Sequence, residues 1–246
     1  MSGHSKWATI KHAKGAADAK RGQMFTKLIK EISIAARMAG GSIDGNPRLR
    51  TAVLKARAAN MPKDNIDRAI KKGTGELEGV NYEELSYEAF APGGVALLIE
   101  VLTDNKNRAA ADVRNVLTRA GGQLATAGSV SRLFRRQGII TLDGEKYTED
   151  QEMEAAIEGG AEDVSLSDGI IEVTTAPEDF EAVVNTLNGK SFETMSAEIS
   201  MVADAEVTLD NDATAKAIRL IEKLEDNEDV QNVYSNISIP DGYVAE

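Results

Sequence analysis

"GIITLDGEKYTEDQEMEAAIEGGAEDVSLSDGIIEVTTAPEDFEAVVNTLNGKSFETMSAEISMVA", residues 138–203, decides the fold. Its apolar spacing changes period in a regular order. "GIITL" reads as a strand, "TEDQEMEAAIEGG" as a helix and "EDVSL" as a strand. Ser167-Asp168-Gly169 forms a turn, with a glycine where positive φ is needed, and "IIEVTT" pairs back. "APEDFEAVVNTLNG" is a helix with Pro177 in its first turn, and "FETMSAEISMV" closes the set. The order β-α-β-β-α-β is that of a ferredoxin-like unit.

The flanks make sense around this unit. Upstream, "ELSYEAF" and "GGVALLIEVLT" read as strands, the second nearly continuous and so central in its sheet. "NKNRAAADVRNVLTRAGG" follows as a helix with Ala110, Val113 and Leu117 inward, then "SVSRLF" as a third short strand. Downstream come a strand, "AEVTL", and a helix with Ala217, Leu220, Ile221 and Leu224 inward. "DVQNVYSNI" is a last strand. Neither flank is complete alone. The simplest account joins residues 80–137 and 204–240 into one α+β domain, with 138–203 inserted between them.

Residues 21–75 have a different grammar. Phe25, Leu28, Ile29, Ile32 and Ala36 follow the i, i+3, i+4 rhythm of one buried helix face, which leaves Lys27, Lys30 and Arg37 largely off it. Gly40-Gly41 ends this helix. Asn46 and Pro47 start a second, with Leu49, Val53 and Ala56 inward and Arg48, Arg50, Lys55 and Arg57 in water. Pro62 starts a third, with Lys71 and Lys72 near its negative end and Gly73 after it. A basic three-helix bundle is expected, preceded by an arm at 1–20 whose only large apolar residues are Trp7 and Ile10. The fold class is therefore α+β in three domains: a helical N-terminal bundle plus two ferredoxin-like α+β domains, one inserted in the other.

Charge divides the chain the same way. Residues 1–75 carry 16 Lys+Arg against 5 Asp+Glu, a net of +11, while the whole chain carries -12. A field of one sign over a whole segment attracts a polyanion. The expected nucleic-acid-binding residues are Lys6, Trp7, Lys11, His12, Lys14, Lys20, Arg21, Lys27, Lys30, Arg48, Arg50, Lys55 and Arg57. Trp7 offers a flat ring for stacking on a base. Arg48, Arg50 and Arg57 can meet base edges or phosphates, and the sequence does not separate these.

Other chemistries find little support. There is no Cys, which removes disulfides, thiolate nucleophiles and Cys-type zinc sites. His4 and His12 are the only histidines, eight residues apart in the arm, which suits neither a metal site nor a held catalytic base. The glycine pairs lack a following Lys-Ser/Thr, so no P-loop is present. The carboxylates fall in runs such as Glu152-Glu154 and Glu225-Asp226, which read as solvated faces. "DNKNRAAADV" lacks the glycine and terminal Glu of a calcium loop. No apolar run nears the roughly 20 residues of a membrane span. The expectation is a cytoplasmic protein, not an enzyme, with no catalytic residues, metal or cofactor.

"GHSKW", "KRGQMFTKLIKEI", "NPRLR", "NMPKDNIDRAIKKGTG", "YEAFAPGGVALLIEVLTDNKNR", "GGQLATAGSVSRLF" and "SAEISMV" together resemble the YebC/PmpR family almost end to end. The resemblance implies a three-domain cytoplasmic regulator of gene expression without catalytic activity. It implies one of two roles. The first is a ribosome-associated translation factor that relieves stalling at proline-rich sequences, meeting rRNA or tRNA and ribosomal proteins. The second is a transcriptional regulator binding promoter DNA. A mitochondrial relative is a translational activator.

Overall fold

The computed structural model describes residues 18–147, 149–167 and 169–240. The basic segment builds three helices, α1 (Asp18–Ala39), α2 (Pro47–Ala58) and α3 (Lys63–Thr74). Ile32, Ala36, Leu49, Val53, Ala56, Ile66 and Ala69 meet in one apolar core. Asn46 caps α2 by accepting from Leu49 N–H at 3.1 Å. Its amide also donates to the carbonyls of Ala35 and Gly40, at 2.8 and 2.9 Å, so the same side chain closes the end of α1.

Three details depart from expectation. Helix α1 begins at Asp18, inside the segment read as an arm. Gly73 lies within α3, and the left-handed residue after the helix is Gly75, φ 83°. Gly73 is buried because α1 crosses it: a Cβ there would stand 2.3 Å from the Ser33 carbonyl oxygen. In a free helix Gly→Ala gains about 1 kcal/mol. Here the contact is backbone on backbone, so the helices must separate. Gly73→Ala is expected to destabilise by about 1–3 kcal/mol in urea unfolding.

The next sheet runs β3-β1-β2-β9, from β1 (Glu83–Phe90), β2 (Ala96–Thr103), β3 (Gln123–Leu124) and β9 (Val230–Ser235). β2 is buried along nearly its whole length, as its continuous apolar run requires. β9 pairs antiparallel with it, Leu98 opposite Tyr234 and Ile99 opposite Val233, so chain from both flanks forms one sheet. Helices α4 (Lys106–Arg119) and α7 (Asn211–Glu225) cover one face through Val113, Leu117, Leu220, Ile221 and Leu224. In α4 it is Ala109, not Ala110, that turns inward. A short parallel pair, β8 (Val207–Thr208) with β10 (Ile237–Ser238), lies beside this sheet.

"SVSRLF" is not a strand. The third strand is Gln123–Leu124, and Ser131–Leu133 make a 3-10 turn. The cause is Glu88. Its carboxylate accepts backbone N–H bonds from Gly128, Val130 and Ser131, which curls that segment around an anion. Partial burial pulls the Glu88 carboxyl up, but these N–H groups outweigh it and hold it below its ordinary range.

The inserted unit comprises β4 (Phe134–Asp143), α5 (Glu149–Gly159), β5 (Asp163–Ser167), β6 (Ile170–Thr175), α6 (Phe180–Gly189) and β7 (Thr194–Ala203). β4 starts four residues before "GIITL". The sheet order is β5-β6-β4-β7, antiparallel throughout, the ferredoxin-like arrangement. Ile140, Leu142, Val164, Ile171 and Val173 pack on Ala155, Ala156, Val183 and Leu187, so α5 and α6 share one face. At the junction of the sheets, Phe134, Val130, Ala96 and Leu98 cluster with Met201 and Tyr234.

Candidate nucleic-acid interface

The cations expected at the interface separate into groups. Lys6, Trp7, Lys11, His12 and Lys14 lie outside the described residues. Lys20 falls in the first turn of α1, and Arg21 beside it is exposed.

Lys27 and Lys30 are engaged inside the protein. Lys30 is 7% exposed; its ammonium donates to Asp229 Oδ1 at 2.7 Å and to the carbonyls of Glu228 at 2.9 Å and Leu102 at 3.4 Å. Lys27 donates to the Glu225 carbonyl, and Gln23 to that of Asp226 at 3.3 Å. One side of α1 is thus clamped to the Glu225–Asp229 corner between α7 and β9. These contacts have a simple cause. Helical spacing showed that Lys27 and Lys30 lie off the bundle's own apolar face, but a second body occupies that side. Asp229 also accepts from Arg108 at 2.9 and 3.2 Å. Burial pulls the Asp229 carboxyl up, yet Lys30 and Arg108 overcome this and hold it below its ordinary range.

Arg48 is likewise taken up internally. It forms a fork on Glu31, 2.7 and 3.0 Å, and reaches Glu84 at the start of β1. The Glu31 hydrogen bonds hold its guanidinium firmly charged. Arg50 donates to the carbonyls of Ile43 and Asp44, at 3.4 and 3.0 Å, bracing the loop before α2. Arg37 pins the linker through Val80, Asn81 and Tyr82. Lys55 pairs with Glu198 on β7 at 3.5 Å.

Arg57 remains outward. The sequence reading missed its companions Lys63, Arg68, Lys71 and Lys72 on α3, all exposed. No ion pair among the described residues takes up these five cations. Arg68, Lys71 and Lys72 are i, i+3 and i, i+4 neighbours, hence adjacent on the surface. The signal was present in the sequence: Ile66, Ala69 and Gly73 define the buried face, and these cations sit opposite.

Among the described residues, no group of three or more His, Cys, Asp or Glu is placed to hold a metal ion. No helix among them is long and apolar enough to cross a membrane. The arrangement is that of an α+β protein carrying a cationic helical head, clamped by ion pairs to a sheet into which a ferredoxin-like unit is spliced.

Comparison with known proteins agrees along the whole chain. The family model for the TACO1/YebC protein N-terminal domain matches residues 5–76, and that for the TACO1/YebC second and third domain matches 82–237. The chain belongs to the YebC/PmpR family. A "probable transcriptional regulatory protein" of Treponema denticola is 66% identical over 99% of this chain and 98% of its own length. A protein of the same description from Borreliella burgdorferi strain B31 is 56% identical over 98% of this chain and 99% of its own. The crystal structure of a conserved hypothetical protein from Aquifex aeolicus superposes with a TM-score of 0.82 at 43% identity, covering 93% of this chain and 95% of that one.

Proposed function

We propose that this protein is a non-enzymatic, cytoplasmic regulator of gene expression that grips nucleic acid through its N-terminal cations. The carrying observation is charge segregation: +11 over residues 1–75 in a chain of -12. The outward cations Arg57, Lys63, Arg68, Lys71 and Lys72 extend that surface onto α2 and α3. These are phosphate-gripping groups; shape and charge carry the binding, and base readout is not required. On this reading the domains divide at 1–20, 21–75, 80–137 with 204–240, and 138–203.

The finer reading is a ribosome-associated translation factor that relieves stalling at proline-rich sequences. A segment with three lysines and no Asp or Glu in residues 1–17 suits a narrow site lined by phosphates, as in rRNA or tRNA, while the acidic sheets suit contact with ribosomal proteins. Promoter DNA is the second reading, favoured by the name that the Treponema and Borreliella relatives carry. Ribosome co-sedimentation beside DNA footprinting, on the intact protein and one lacking residues 1–17, separates them. Co-sedimentation lost on truncation supports the translation reading. A salt-resistant footprint without co-sedimentation transfers the assignment to DNA.

The outward patch has its own test. Arg68→Glu with Lys71→Glu is expected to weaken binding about equally on all sequences. It should lower the slope of log K against log salt by about 2 units or less. A change confined to one sequence would show base readout instead.

A further inference from the structure

The acidic remainder of the chain contains a basic stretch of its own. Residues 76–246 hold 12 Lys+Arg, and seven of them fall within 105–142, where Asp112 is the single carboxylate. Three of the seven are taken up internally. Lys106 pairs with Glu83 at 2.6 Å, Arg108 with Asp104 and Asp229 at 2.6 and 2.9 Å, and Arg135 with Asp204. Arg114, Arg119, Arg132 and Arg136 are exposed, and no ion pair among the described residues takes them up. Arg136 lies near Tyr234 at the junction of the sheets.

The fold gathers the other three around one sheet edge. α4 covers the helical face of the sheet and leads through Gly121-Gly122 into β3, the edge strand. Residues 128–131 then curl around Glu88 on the opposite face, with Arg132 just beyond, on a turn those N–H bonds hold in place. Between Arg119 and Arg132 the exposed residues are Gln123, Thr126, Ala127 and Gly128, none of them charged. Small residues there let a backbone approach closely. Stability does not explain these cations. Neither Arg114 nor Arg119 has a carboxylate three or four residues away. The helix dipole suits Arg119 in the last turn but not Arg114. On α7, by contrast, three cations are balanced by three carboxylates, with Asp212 four residues before Lys216.

We propose that the outer side of α4 and the β3 edge form a second phosphodiester-binding surface, so that a nucleic acid gripped by the head extends onto the sheet domain. This rests on the function proposed above and enlarges its footprint. The two surfaces are joined where Asp229 lies between Lys30 of the head and Arg108 at the start of α4. From there α4 carries Arg114 about 9 Å and Arg119 about 16 Å beyond Arg108. Contacts of this kind position a backbone and do not read sequence.

The experiment uses full-length protein and labelled single-stranded RNA and duplex DNA, with binding followed by anisotropy over a series of salt concentrations. Arg114→Glu/Arg119→Glu and, separately, Arg132→Glu are compared with the parent and with Lys216→Glu/Lys223→Glu. The last makes the same charge change as the α4 pair, on α7. All these side chains are exposed, and circular dichroism checks folding. The α4 variant should bind about tenfold more weakly near 0.1 M salt, with a slope of log K against log salt shallower by about 1–2 units. Arg132→Glu should weaken binding about threefold, and the α7 variant should leave the slope unchanged. A loss seen with RNA alone or with duplex alone upholds the surface and identifies its polymer. An equal loss in the α7 variant overturns it, since net charge would then be the cause. So does unchanged binding by the folded α4 variant while Arg68→Glu/Lys71→Glu still weakens it, which leaves the head's function standing. A parent that binds neither polymer removes that function, and this surface with it.

Discussion

Asp229→Ala is expected to cost about 3–5 kcal/mol, the ordinary penalty for stranding one member of a buried pair. The side chains of Lys30 and Asp229 are 8% and 6% exposed, so the ammonium left behind has no ready access to water. Glu228 and Leu102 offer carbonyls, which solvate the charge only partly. Lys30→Met with Asp229→Leu should recover much of the loss, because apolar replacement of both partners avoids the uncompensated charge. Urea unfolding of the single and double variants measures the coupling. The pH dependence has a definite sign. The carboxyl of Asp229 is held below its ordinary value when folded. Its contribution is therefore complete above the unfolded-state pKa, about 3.9, and fades as pH falls through the lower folded value. Asp229→Asn should flatten that part of the acid limb. Because the pair joins α1 to the α7–β9 corner, the variant should also loosen the head, read as faster amide exchange in α1 than in β2.

Removing residues 1–17 is expected to have the largest effect on binding. Three lysines leave with the segment, and no acidic residue accompanies them. If each neutralises one phosphate, the salt slope falls by about 2–3 units, and affinity near 0.1 M salt falls about 10–100-fold. A chain whose N-terminal lysines merely improve solubility would show no such change. Fluorescence anisotropy with labelled single-stranded RNA and duplex DNA, across a series of salt concentrations, checks this.

Much of the fold was legible because it follows from local rules. Period 2 and period 3.6 alternate cleanly through 138–203, and the ferredoxin-like order follows. The insertion was legible for a topological reason: two incomplete flanks require each other, and β9 does pair with β2 across the intervening unit. "SVSRLF" misled because its apolar residues serve a turn wrapped around the Glu88 carboxylate, a contact some forty residues away in sequence. The cationic surface was half legible. Helical spacing identifies which lysines leave their own bundle's core, but not whether another body waits there. Lys30 meets Asp229 in the turn before β9, and Arg48 reaches Glu84 on β1 as well as Glu31 on α1, so their charge stabilises the assembly of head and sheet. Lys63, Arg68, Lys71 and Lys72 lack such partners among the described residues and remain outward.

The most direct measurement of the central claim is the equilibrium binding of full-length protein to RNA and to duplex DNA between about 50 and 300 mM salt. The account predicts a linear fall of log K with log salt, with a slope of about −3 to −8 if between four and nine of the N-terminal cations meet phosphates. Truncation of residues 1–17 and Arg68→Glu/Lys71→Glu should each make the slope shallower. A slope near zero, or one that neither change alters, would contradict it.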